Sequence, residues 1–137
     1  DVLIDCIEEM RACNILVMNS GAPAELEPVI RRIAQLDGRL DAAWEHWQAG
    51  PGSRHQAATA AAAFTAAVGH YRAVRGEALA LARAGRFEEV RRKIPTDVRQ
   101  AYDGARQTLA QIDTQDKALR DRRGRLPLGG RRLVSAS

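Results

Sequence analysis

The chain has little of what many folds and most enzymes rely on. Its 137 residues include two cysteines and six aromatics, two each of Trp, Tyr and Phe. Two cysteines cannot build a disulfide framework, and no CxxC pair or Cys/His cluster offers a zinc site. Strand-favouring β-branched and aromatic residues are scarce beside Ala, Arg, Glu, Gln and Leu, which argues against a sandwich or barrel. Long apolar runs are missing too. The longest aliphatic stretch is Ile15-Leu16-Val17-Met18, and the Ala-rich run 60–64 is equally brief. Neither approaches the roughly 20 residues a membrane-spanning helix needs. No signal-peptide pattern is visible. The chain opens on Asp1, directly in an apolar-periodic stretch, as expected of an excised or processed piece of a larger protein.

Catalytic constellations are equally absent from the sequence. The four serines, at 20, 53, 135 and 137, fall at helix ends or in the C-terminal tail, and no nucleophile–base pair accompanies them. No Gly-rich phosphate loop precedes a helix. A metal site in a helical bundle needs Glu-x-x-His pairs or converging carboxylates. Glu45-His46 are adjacent instead, so His46, His55 and His70 read as solvated histidines. The expectation is no catalytic residue, no metal and no cofactor.

The formal charge of +4 is uneven. Residues 120–132 hold six Arg and one Asp, a net +5, which leaves −1 for everything else. The basic surplus is therefore a property of the tail, and a nucleic-acid partner is not expected for the folded part.

What the chain does contain is helical period with clear punctuation. Helix one spans about Val2 to Asn19, with Leu3, Cys6, Met10, Cys13 and Val17 at alternating spacings of three and four. Ile4, Ile7, Arg11, Asn14 and Met18 make a second stripe beside the first, so the helix packs on more than one neighbour. Pro23 and Pro28 bracket the first turn of helix two. This helix carries Leu26, Ile30, Ile33, Leu36, Leu40, Trp44 and Trp47, and stops at Gly50-Pro51-Gly52. Ser53 is the expected N-cap of helix three. Phe64, Val68, Tyr71, Val74, Ala78 and Leu81 lie along helix three, and Gly85 is its expected C-terminal glycine. Phe87–Ile94 starts a fourth helix, which resumes through Val98, Tyr102, Ala105, Leu109 and Ile112. Pro95 should kink or cap it. Short connections between long helices predict an all-α, antiparallel up-down-up-down four-helix bundle over residues 1–123. Residues 124–137 read as a basic, disordered tail, juxtamembrane or left by cloning.

Two features of helix one need an explanation. Cys6 and Cys13 are seven residues apart, about 10.5 Å along a helix, beyond the roughly 7 Å limit for a bridge. They serve either as small buried hydrophobes or as seam residues meeting their counterparts in a second subunit. Arg11 and Asn14 sit on a stripe otherwise made of Ile and Met, and a buried unpaired charge is costly. The partner of Arg11 is an internal carboxylate, water in a groove, or an anionic ligand. A carboxylate ligand is the natural form of the last, because guanidinium binds it bidentately.

The order of these features resembles the periplasmic four-helix-bundle sensor domain of methyl-accepting chemotaxis proteins, over about residues 2–120. The resemblance rests on Leu40–Trp44–Trp47, on Tyr71-Arg72-Ala73, on Ala84-Gly85-Arg86 followed by Phe87-Glu88-Glu89-Val90-Arg91, and on Ile94-Pro95-Thr96 leading to Tyr102 and Leu109. It implies a homodimer joined through the first helix, with a small-molecule ligand held between the first and fourth helices at the membrane-distal end. It also implies a periplasmic domain of an inner-membrane protein, membrane-attached in the full-length chain. In the aspartate-type receptors three first-helix arginines and a Pro-Thr segment hold the ligand. The middle arginine falls on Arg11 and the threonine on Thr96, whereas the other two arginine positions fall on Cys6 and Ile15. The expected site is then Arg11, Asn14, Ile15 and Met18 with Arg91, Ile94 and Thr96. Its ligand is an amino acid, organic acid or aromatic acid. The expected dimer interface is Leu3, Cys6, Met10, Cys13 and Val17. Against the family, helix one is short at its start by roughly four turns. The same bundle serves histidine kinases and other transmembrane signalling proteins. A structural or partner-binding bundle without a ligand is the reading from another class.

Overall fold

Apolar residues three and four apart share one helix face, and burying that face is what makes the helices persist. The computed structural model describes residues 2–50, 58–114 and 121. It contains α1 (Val2–Asn19), α2 (Pro23–Ala49), α3 (Ala58–Arg83), α4 (Phe87–Lys93), a π-helical turn (Ile94–Val98) and a final helix, α5, over 99–114. The dihedrals stay right-handed helical at Ile94 and Arg99, so α4, the π turn and α5 run on as one rod. The result is four rods, all-α as expected. Ser53, His55 and the tail 124–137 lie outside the described residues.

Each rod packs beside its sequence neighbours, and α1 closes the ring against the fourth. Ion pairs show the antiparallel register. On α2 and α3, Glu27 meets Arg83 and Asp41 meets Arg72. Across the closing face Glu8 meets Arg106 at 3.4 Å, and on α1 and α2 Glu9 meets Arg32. The Arg32 hydrogen bond holds the Glu9 carboxyl below its usual pKa. These pairs are mostly exposed and add little stability each. The core carries the fold, with Leu26, Leu36, Leu40, Phe64, Val90, Val98 and Leu109 all fully enclosed. Such side chains contribute about 1.5–3 kcal/mol apiece on burial.

The turns follow their residues. α3 ends in a paired cap: Gly85 N–H donates to Ala82 O and Arg86 N–H to Leu81 O. Gly85 sits at φ +76°, the left-handed conformation glycine adopts most readily. Pro23 occupies the first turn of α2, but Pro28 lies inside the helix, on its exposed side, rather than closing that first turn. At Pro95 the helix does not stop but continues through a π-helical turn. A proline inside an α-helix lacks a donor and presses on the carbonyl four residues back, and a widened turn removes that clash. The apolar residues around it, Val90, Ile94, Val98 and Tyr102, are each four apart. In a regular α-helix that spacing drifts by roughly 40° per step, and the π turn takes up the drift, so all four stay buried.

One correction concerns α1. Leu3, Cys6, Met10, Cys13 and Val17, expected at a dimer seam, are 0–5 % exposed within a single chain. They face the chain's own core because α1 must cover both α2 and the fourth rod. The outward face of α1 instead carries Ala12, Ile15, Leu16 and Asn19.

The core also holds a charge. Arg75 on α3 is buried, and its guanidinium grips Asp37 of α2 through both oxygens, at 3.1 and 2.5 Å. Arg72 joins the same carboxylate at 3.3 Å and reaches Asp41 at 2.9 Å. Removing one partner of a buried pair strands the other. Asp37→Ala is therefore expected to lower the unfolding free energy by about 3 kcal/mol in urea titration, and the exposed Asp41→Ala by under about 1 kcal/mol. Burial also raises the thiol pKa values of Cys6 and Cys13, which lowers the thiolate fraction at any given pH. Both thiols are expected to be silent to Ellman's reagent in the native chain, even at pH 8.5, and to react fully in denaturant. Disulfide-linked dimers should not form under mild oxidation.

Candidate functional site

The second stripe of α1 and the π turn face one another across the closing side of the bundle. Between them lies a cavity of about 200 Å³, lined by Arg11, Asn14, Ile15 and Met18 of α1, Ile94, Pro95 and Val98 of the π turn, and Arg99 and Tyr102 of α5. Its walls are largely aliphatic. Two guanidinium-bearing side chains, one phenol and one amide supply its polarity.

Each polar group is placed by its own surroundings. Arg11 is exposed and has no ion-pair partner among the described residues. Among the described residues Arg99 has a loose contact with Asp103 at 4.0 Å, both side chains being well solvated. Asn14 is buried, and its Nδ2 donates to the Tyr71 hydroxyl of α3 at 2.8 Å, a bond that crosses the bundle's diagonal. The Tyr71 and Tyr102 rings meet edge to face, centroids 5.9 Å apart. Burial pushes both phenols above their ordinary pKa. Arg106 and Arg11 partly offset this at Tyr102, and Arg75 at Tyr71. Both therefore remain protonated hydroxyls at neutral pH. A cavity with cations, no carboxylate among its described lining residues and apolar walls suits a small organic anion.

Of the seven site residues expected from the sequence, Arg11, Asn14, Ile15, Met18 and Ile94 come together around this cavity. Arg91 and Thr96 do not. Both are exposed and absent from the lining. The Thr96 hydroxyl donates to the Arg92 carbonyl at 2.6 Å, one turn back along its own helix. The π turn aims its neighbours, not Thr96, at α1. Pro95, Val98, Arg99 and Tyr102 were missed as lining residues. The available signal was the run of apolar spacings of four through Val98 and Tyr102, which shows which face of the fourth rod turns toward α1.

Other grooves are less suited. One between α3 and the fourth rod has its Lys93 already bound by Glu77 at 3.0 Å and Asp97 at 3.4 Å. His46 and His70 are exposed, and no group that could hold a metal occurs among the described residues. No helix among the described residues is long and apolar enough to cross a membrane.

A family model described as a four-helix-bundle sensory module for signal transduction matches residues 2–118. No curated protein and no solved structure matches the chain.

Proposed function

The chain belongs to the four-helix-bundle sensory modules of signal transduction, and we propose that it is the extracytoplasmic ligand-sensing domain of a transmembrane chemoreceptor. The observation that carries this reading is the cavity between α1 and the π turn, with Arg11, which has no ion-pair partner among the described residues, at its edge. Its ligand is a small carboxylate with an apolar body. Arg11 and Arg99 hold the carboxylate, while Ile15, Met18, Ile94 and Val98 receive the apolar part. The domain performs no catalysis.

Signalling follows from where the cavity lies. A ligand touching both α1 and the fourth rod can bias their relative position only through different affinity for two arrangements. Packed helices switch by shifts of about 1–2 Å. The module acts as a homodimer through the outward face of α1, where Ile15 and Leu16 are 43 % and 54 % exposed. Ile15 belongs to both that face and the cavity, so a second copy would shield the cavity's open side. The same module on a histidine kinase would sense in the same way, with a different output. Membrane attachment belongs to the receptor of which this module is a part.

A thermal-shift screen of amino acids, aliphatic carboxylates and aromatic acids tests the reading. A carboxylate of compact apolar shape should stabilise the protein, by about 2.7 kcal/mol at a hundredfold excess over Kd. Arg11→Ala and Arg99→Ala should each weaken binding by about tenfold or more, the scale of a charged hydrogen bond. Thr96→Val should leave affinity unchanged. No shift with any acid, or a shift that survives both arginine replacements together, would refute the site.

A further inference from the structure

The core face of the fourth rod counts out a regular seam with one residue too many. From Val90 its buried positions fall at Ile94, Val98, Tyr102, Ala105 and Leu109. Phe87 packs on the core three residues before this run, and Ile112 three residues after it. Spacings of three and four alternate from Tyr102 onward, whereas three spacings of four follow one another between Val90 and Tyr102. In a regular α-helix that stretch turns roughly 120° beyond three whole turns, and with one residue fewer it would overshoot by only roughly 20°. Take one residue from between Ile94 and Val98, and threes and fours alternate along the whole rod, the seam of an ordinary packed helix. The surplus lies in the π turn, Ile94–Val98. The bundle's core does not need it, because the residues on either side would face inward without it. Pro95 does not force it either, since Pro95 can itself be the surplus residue. Without Pro95, the Thr96 N–H stands four positions after Arg91, supplying the helical donor that proline lacks.

We propose that the π turn is a one-residue insertion that serves the cavity and not the fold. It places Ile94, Pro95 and Val98 together in the cavity wall opposite α1. A regular turn has one residue fewer to offer there, and this wall is what the insertion adds. Widened turns of this kind recur at functional sites. On this account Thr96, which is exposed and outside the lining, matters by being counted and not by what its side chain touches. The binding half of the proposal rests on the carboxylate reading above, and the folding half does not.

Deletion variants of the whole chain test both halves. Deleting Pro95 should leave the urea midpoint equal to that of the unaltered chain or higher. Deleting the exposed Asp103 from the regular part of the rod swings Ala105, Leu109 and Ile112 off the core face, and should lower the midpoint by about 1 M or more. If the Pro95 deletion is as damaging as the Asp103 deletion, the turn belongs to the fold and the proposal is overturned. Calorimetric titration with benzoate and 4-methylpentanoate reads the site. Deleting Pro95 should weaken binding by about tenfold or more, the scale of a lost apolar contact in a pocket. Deleting Thr96 should do the same although no lining residue is removed, whereas Thr96→Val, which keeps the residue count, should bind as the unaltered chain does. Undiminished binding by a folded deletion variant overturns the proposal and leaves the carboxylate site standing. No binding of either probe by the unaltered chain removes the site role of the turn together with the carboxylate reading, while the urea comparison still decides whether the residue is surplus to the fold.

Discussion

An arginine in the middle of an apolar bundle must be neutralised, and here that requirement joins three of the four rods. Arg75 on α3 is answered by Asp37 on α2, and the same guanidinium lies beside Tyr71, which bonds Asn14 on α1. Buried polar chains of this kind are tolerated only when their members find partners. Apolar packing between helices permits small sliding adjustments. A bidentate ion pair and a 2.8 Å hydrogen bond allow far less, so this chain sets the register around which the aliphatic layers pack.

The fourth rod is governed by a different constraint. Pro95 cannot sit in a regular α-helix without a clash, and apolar spacings of four cannot stay on one face of it. A π-helical turn resolves both together. It spends the Thr96 hydroxyl on a backbone carbonyl and turns Ile94, Pro95 and Val98 toward α1. Widened turns occur often at functional sites, and this one forms a wall of the cavity.

The two constraints meet at that cavity. Asn14 is at once the end of the polar chain and part of the lining, and Tyr102 touches both the cavity and Tyr71. Under the proposed function, a ligand bound there would press on α1 and the fourth rod directly, and on α2 and α3 through Tyr71, Arg75 and Asp37.

The four rods, the glycine cap at Gly85 and the apolar faces were all legible from periodicity and punctuation, because those depend on residues near one another in sequence. So was the group Arg11, Asn14, Ile15 and Met18, which share a stripe on one helix. The resemblance through Ile94-Pro95-Thr96 pointed to the segment of the fourth rod that lines the cavity. It favoured Thr96, because a sequence does not show which residues a π turn aims inward. The partner of Arg75 was not legible either. Asp37 lies 38 positions away, and nothing in either residue's neighbours pairs them. The stripe of Leu3, Cys6, Met10, Cys13 and Val17 looked like a seam between subunits, since a heptad pattern reads the same whether its partner is a second copy or the chain's own α2 and fourth rod. By itself the sequence determined which residues are helical and which faces must be buried. Only the tertiary structure decided what each face is buried against, because that depends on contacts between residues that the chain brings together from far apart.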